Sequence, residues 1–136
     1  MRYVIDTNVF IYLCLDPEEL IPEVKKIIED YGNQFIMSVE SVREVLMLIK
    51  GGRISNMIGK SYEDIKEKMD EYGIELRYIT EAHIKAFSRL TPAPNYSDPT
   101  DLMIISQAIA ENLPLISSDT KFPFYTKQGL HFIPNR

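Results

Sequence analysis

Four acidic residues in this chain each adjoin an apolar segment. Asp6 and Asp119 each end a short segment that has the pattern of an apolar strand, and Glu44 and Asp101 directly precede uninterrupted apolar runs. Burying a carboxylate without compensation is costly, and coordination to a metal ion is one way of holding several carboxylates together. Mg²⁺ and Mn²⁺ prefer oxygen ligands, and phosphodiester cleavage with these ions typically uses a cluster of carboxylates. If the four acids meet in space, they predict metal-dependent cleavage of phosphodiesters.

Each acid also has a structural explanation. An aspartate that follows a strand can cap the next helix or turn, and this applies to both Asp6 and Asp119. Glu44 can stabilise a helix start through the helix dipole, or pair with Arg43 or Lys50. Two acids at the same edge of one sheet are nevertheless difficult to explain as caps alone.

The segment Asp98-Pro99-Thr100-Asp101 has the pattern of a helix start, with acids at the cap and at the third helical position. For Asp98 we favour this structural explanation. Asp101 is followed by the apolar residue Leu102, which draws the helix start into the core and could point the carboxylate toward the strand ends. We therefore predict a functional role for Asp101.

Several polar residues near these acids are predicted to support them. The hydroxyls of Thr7 and Ser117 can orient a carboxylate or a bound water, although local turn and cap hydrogen bonds explain them equally well. Asn8 and Asp98 complete this supporting set. Four cations are candidates for contacts to a nucleic-acid backbone, and a solvated surface position also explains each of them. They are Lys50, Arg53, Lys60 and Lys121.

Other kinds of site find little support. His83 and His131 have no Cys or His at metal-binding spacing, so we predict structural roles for them and no zinc site. No Ser-His-Asp or Cys-His arrangement is recognisable. The pair Gly51-Gly52 follows a predicted helix, so it indicates a helix stop and not a phosphate-binding loop.

Strand-like and helical patterns alternate along the chain, which predicts an α/β fold with a short parallel sheet covered by helices. In such sheets, ligands lie beyond the carboxyl ends of the strands, where Asp6 and Asp119 are expected. The strongly apolar helix around Glu44 is expected to be largely buried. Strands are predicted at 3–5, 34–38, 74–78, 115–118 and 131–133, and helices at 9–15, 16–31 with a restart at Pro22, 41–50, 61–72, 80–90 and 98–110.

Length and composition predict one domain over residues 1–136 in the cytoplasm. A chain of 136 residues can bury a substantial core. Cys14 is the single cysteine, so no intrachain disulfide can form, and neither a leader nor an apolar run of membrane-spanning length is recognisable. The net charge of −5 disfavours nonspecific binding to nucleic acid. Metal ions bound by clustered acids would reverse the sign of the electrostatic field locally, where a phosphate would lie.

Together, four segments resemble the PIN-domain family, and most closely its small toxin ribonucleases of the VapC kind. These segments are Tyr-Val-Ile-Asp-Thr-Asn at 3–8, the stretch 38–50 containing Glu44, the stretch 98–108 that starts Asp-Pro-Thr-Asp, and Leu-Ile-Ser-Ser-Asp at 115–119. The resemblance covers nearly the whole chain, and the order and spacing of the segments make it fairly specific.

This resemblance implies a PIN-like, Rossmann-like α/β/α sandwich that hydrolyses single-stranded or structured RNA. It further implies Mg²⁺ or Mn²⁺ held by the acids that match Asp6, Glu44, Asp101 and Asp119. A homodimer and a small antitoxin that lies across the active-site groove are also implied.

The resemblance is to the branch of these toxins whose later motif reads Asp-Pro-Phe-Asp-Arg, and this chain departs from that branch at three positions around the site. Tyr96 stands where members of the branch often have His, and Thr100 and Leu102 replace the usual Phe and Arg. These changes leave the four acids intact and alter the rim of the site, so they bear on substrate choice and rate.

Two other functions fit the same pattern. One is a catalytically inactive module of this fold that binds a partner through the groove. The other is a phosphatase or phospho-acceptor domain that uses Asp6 as the nucleophile. The residue two positions after Asp6 is Asn8 and not a second acid, which disfavours the Asp-x-Asp form of phosphatase.

Overall fold

The computed structural model describes residues 1–54, 58–95 and 98–136. Within these residues the strands are β1 (Arg2–Ile5), β2 (Gln34–Ser38), β3 (Ile74–Arg77), β4 (Leu115–Ser117) and β5 (Phe132–Pro134). They form one parallel, five-stranded sheet in the order β3-β2-β1-β4-β5. The predicted α/β fold with a central parallel sheet is confirmed.

Helices cover both faces of the sheet, and successive residues of a strand point to opposite faces. In β1, Ile5 belongs to the apolar cluster formed with the first four helices of the chain, and Val4 belongs to the cluster on the other face, formed with the last two. The result is an α/β/α sandwich with two apolar layers. The helices are α1 (Thr7–Leu15), α2 (Pro22–Glu29), α3 (Val39–Lys50), α4 (Tyr62–Glu71), α5 (Glu81–Arg89) and α6 (Pro99–Glu111), with short 3-10 helices at Pro17–Glu19 and Phe122–Gln128.

The sheet order places a crevice beside β1. The chain runs from β1 outward through β2 to β3, and then returns to the other side of β1 as β4. Ligands bind at such a reversal of strand order in open α/β sheets. Because Ile5 pairs with Ile116, the next residues, Asp6 and Ser117, are neighbours at the carboxyl edge.

Two predicted helices differ in the structure. The stretch 16–31 contains a 3-10 turn, Pro17–Glu19, before α2 begins at Pro22, where a restart was predicted. The expectation that α3 is largely buried is wrong, because its buried residues are Ser41, Val42 and Val45, while Met47 is 58% exposed. A helix on a sheet buries one stripe, and the apolar run 45–49 is too long to fit within it.

His83 has the predicted structural role. Its side chain is only 2% exposed, and its Nδ1 accepts a hydrogen bond from the Thr80 backbone N–H at 3.0 Å. Its Nε2 lies 2.7 Å from Glu111 Oε2, so the ring joins α5 to α6. No helix in the described part of the chain combines the length and apolar character required to cross a membrane.

Candidate active site

Asp6 is a buried acid at the junction of β1 and α1. It caps α1, since its Oδ1 accepts a hydrogen bond from the Val9 backbone N–H at 3.0 Å. Its Oδ2 accepts a hydrogen bond from Ser117 Oγ. Burial and, to a smaller extent, the charges of Asp101 and Asp119 raise the pKa of Asp6 from 3.8 to about 7, although the two hydrogen bonds lower it. Asp6 therefore caps α1, as the structural explanation predicts, but the burial of its carboxylate raises the free energy of the charged form.

All four predicted acids line one small cavity of about 190 Å³ at the carboxyl edge of the sheet. They come from four separate segments: the start of α1, the middle of α3, the first turn of α6 and the turn after β4. Asp6 is buried, and the other three are partly buried. The lining residues are Asp6, Thr7, Asn8, Glu44, Leu48, Asp101 and Asp119.

The donor chemistry of this cavity suits a hard divalent cation. Its walls carry carboxylate oxygens, the ligands that Mg²⁺ and Mn²⁺ prefer. The buried hydroxyl of Thr7, which also lines the cavity, has no hydrogen-bond partner among the described residues. No three His, Cys, Asp or Glu side chains in the described ranges are close enough to hold an ion as they stand. Coordination by three or more of these side chains would therefore require them to move closer together.

Ser117 connects two of the acids. Its hydroxyl donates to Asp6 and accepts a hydrogen bond from the Asp119 backbone N–H at 3.0 Å. Asp119 Oδ1 in turn accepts from the Lys121 backbone N–H at 2.8 Å, which orders the turn after β4. Of the predicted supporting residues, Thr7 and Asn8 line the cavity directly, whereas Ser117 acts through Asp6.

Asp98 lies outside the cavity lining. Its Oδ1 accepts a hydrogen bond from the Thr100 backbone N–H at 2.9 Å and caps α6, as the sequence favoured. Tyr96, the position where related proteins often carry His, falls outside the described residues.

Arg43 was missed as a residue of the site rim. It was considered only as a partner of Glu44, but its Nε donates to Glu40 Oε2 at 2.7 Å and its Nη2 donates to Thr100 Oγ1 at 2.8 Å. The spacing of Glu40 and Arg43 on one helix was a sequence signal for their ion pair. The contact with Thr100 joins residues 57 positions apart, and no local pattern predicts it.

The sheet order places this protein among the doubly wound α/β proteins, and its acidic pocket lies where the strand order reverses. A family model described as the PIN domain matches residues 3–127, so the chain belongs to the PIN-domain family. This family consists of nucleases.

Solved structures with this fold include toxin-antitoxin assemblies. VapBC2 from Rickettsia felis, bound to a DNA fragment from its promoter, has a TM-score of 0.67 and 20% identity over 98% of each chain. VapBC-1 from nontypeable Haemophilus influenzae has a TM-score of 0.66 and 21% identity over 98% of each chain. A toxin-antitoxin complex from Klebsiella pneumoniae has a TM-score of 0.62 and 18% identity over 98% of each chain. No curated protein sequence gives a significant match. At these identities the similarity establishes a common fold.

Proposed function

We propose that this protein is a metal-dependent endoribonuclease and the toxin of a toxin-antitoxin pair. The observation that carries the proposal is the meeting of Asp6, Glu44, Asp101 and Asp119 around one cavity at the edge where the strand order reverses. Membership of a nuclease family adds independent support.

In this proposal the four acids have two roles, which are to hold a divalent ion and to orient a water molecule. Asp6, Asp101 and Asp119 would hold Mg²⁺ or Mn²⁺, and Glu44 would either share in that role or orient a water molecule. A bound divalent ion lowers the pKa of a water molecule and offsets the charge on the phosphate and on the leaving oxygen. Ser117 keeps Asp6 in place through its hydroxyl. The Thr7 hydroxyl is available to orient a water, since it has no partner in the part of the chain that is described.

The structural relatives support a proposal about partners. The Rickettsia and Haemophilus structures are VapBC assemblies, and the Klebsiella structure is a toxin-antitoxin complex. We propose by analogy that a small antitoxin binds this chain across the acidic cavity. We further propose that the chain forms a homodimer, that residues 1–136 act as one domain, and that it works in the cytoplasm.

The direct test is cleavage of mixed cellular RNA by the purified protein with Mn²⁺ and with excess EDTA, followed by mapping of the ends. We expect cleavage only with the metal. Calorimetry should detect Mn²⁺ uptake that disappears in Asp101→Asn. Asp70→Asn is the matched control, because it removes one charge on α4 outside the cavity lining and should bind Mn²⁺ like the unchanged protein.

The same experiments separate the alternatives. An inactive interaction module predicts neither Mn²⁺ uptake nor cleavage. A phospho-acceptor domain predicts phosphate trapped on Asp6 after incubation with a small phospho-donor. Absence of Mn²⁺-dependent cleavage by well-folded protein refutes the nuclease proposal.

Ser117→Ala should slow RNA cleavage by about 10- to 100-fold, the effect typical of losing a group that orients a metal ligand. The change removes the O–H donor to Asp6 and leaves the Asp119 backbone N–H without its acceptor. Steady-state cleavage rates with Mn²⁺ measure the effect. Ser106→Ala is the matched control, since this equally buried hydroxyl donates only to the Leu102 carbonyl within α6. Equal rates for the two variants would contradict a positioning role for Ser117.

A further inference from the structure

A second groove of about 540 Å³ opens beside the acidic cavity. The two share Glu44 and Leu48 in their linings, so they adjoin the same stretch of α3. The groove has three cations on its walls, whereas the cavity lining contains none. The lining residues of the groove are Arg43, Glu44, Met47, Leu48, Lys50, Gly51, Arg53 and Thr100.

Arg43 is held in place on the wall of the groove, next in the chain to Glu44, which lines both the groove and the cavity. Its Nε and Nη2 donate to Glu40 and to Thr100, while 58% of its side chain stays exposed. A guanidinium carries five N–H donors, so about three remain after these two bonds. A fixed guanidinium with free N–H groups loses little entropy when it binds a phosphate.

Lys50 and Arg53 extend this positive wall past the end of α3. Both side chains belong to exposed residues, and neither takes part in a salt bridge within the described residues. The groove lining thus has three cations and one acid, Glu44, whereas the whole chain has a net charge of −5. This local charge would attract a polyanion to the side of the cavity that Glu44 borders.

We propose that this groove binds the phosphates that flank the scissile bond in a single-stranded RNA substrate, with Arg43 as the contact nearest the cavity. The inference rests on the proposed function and adds where the substrate lies. The thioether of Met47, 58% exposed between the cations, offers a flexible apolar surface for a base. A single strand is favoured over a duplex because the reacting phosphate must approach Asp6, which is only 5% exposed.

An acidic protein segment is the competing occupant. Nucleic acid fits better because one continuous chain of phosphates can run from the cations into a cavity where a phosphate meets bound divalent ions. A peptide carboxylate that follows the same path would face the four acids without bringing a reacting group.

The test measures binding of a labelled single-stranded RNA of about 12 nucleotides, within the usual range of site sizes. Fluorescence anisotropy is recorded in EDTA, so that no cleavage occurs, at several salt concentrations. The groove variant is Arg43→Ala/Lys50→Ala/Arg53→Ala, and Lys50→Ala/Arg53→Ala keeps the Arg43 bonds in case the triple variant unfolds. The control, Lys26→Ala/Lys85→Ala/Arg89→Ala, removes the same charge from outside both linings.

We expect the groove variant to lose at least about 10-fold in affinity and to lower the salt slope by roughly 2, since each phosphate contact to a single strand contributes about 0.7. The double variant should lower the slope by about two-thirds as much. The control should bind like the unchanged protein. With Mn²⁺, the groove variants should raise KM more than they lower kcat, because contacts remote from the reacting phosphate act in ground and transition states alike.

Cleavage and binding together separate the two proposals. If the unchanged protein cleaves RNA with Mn²⁺ while groove and control variants bind RNA equally, the groove inference fails and the nuclease proposal stands. If polyglutamate binds through the groove cations and RNA does not, the groove serves an acidic protein segment and the inference is overturned. If the unchanged protein neither binds nor cleaves RNA, both proposals fall.

Discussion

Asp6→Asn is expected to reduce Mn²⁺-dependent RNA cleavage by more than about 100-fold, since loss of a group that merely orients a metal ligand already costs about 10- to 100-fold. Asn keeps the size of Asp and its ability to cap α1 by accepting from the Val9 N–H. It removes the negative charge from the most buried of the four acids. The loss should therefore appear in chemistry and metal binding while the fold persists.

The measurement is the initial rate of RNA cleavage across a range of Mn²⁺ concentrations, with Asp30→Asn as the matched control. Asp30 lies outside the cavity lining and accepts a hydrogen bond from the Gly32 N–H at an exposed turn. Full cleavage by Asp6→Asn would exclude Asp6 from the proposed site. If excess Mn²⁺ restores the rate, the lost charge acted mainly on metal affinity.

The second large effect concerns stability in the absence of metal. Burial raises the folded-state pKa of Asp6 to about 7, from 3.8. Between about pH 4 and pH 7, the folded protein then holds a proton on Asp6 that the unfolded chain releases, so the free energy of unfolding falls as pH rises. The shift of about 3 pKa units corresponds to a loss of about 4 kcal/mol, complete near pH 7.

In Asp6→Asn the side chain at position 6 does not titrate, so this loss of stability with rising pH should be absent. In EDTA above pH 7, the variant should therefore be more stable than the unchanged protein by a few kcal/mol, at most about 4. Urea unfolding of both proteins in steps from about pH 5 to about pH 8 measures the difference, and comparing the two removes contributions from the other carboxylates. Identical pH dependence in the two proteins would show that the buried Asp6 carboxylate does not destabilise the fold.

Mn²⁺ should remove much of this difference in stability. An ion bound by the carboxylates offsets the charge on Asp6, and a ligand at 100 times its Kd stabilises a folded protein by about 2.7 kcal/mol. At pH 8 the unchanged protein should gain stability with Mn²⁺, whereas Asp6→Asn should gain much less. A buried acid that destabilises the metal-free protein, and whose charge a bound metal ion offsets, has the energetic properties expected of a functional-site residue.

The sequence alone predicted the elements that local patterns control. The strands were recognisable as apolar runs, and the start of α6 was recognisable from the order Asp98-Pro99, since capping and proline preferences act within a few residues. The sequence predicted that the four acids meet for a related reason, because each lies beside a segment with the pattern of a buried strand or helix, and all four line one cavity. The resemblance to the PIN family used the same segments and is confirmed.

The contacts between distant segments were decided by the tertiary structure. Whether Ser117 reaches Asp6 depends on the register of β4 against β1, and the bond of Arg43 to Thr100 depends on how α3 packs against α6. The exposed face of α3 was predicted wrongly, because a run of apolar residues does not reveal how much of a helix its neighbours cover. Local preferences act over a few residues, whereas the groove and its charge come from packing between elements far apart in the chain.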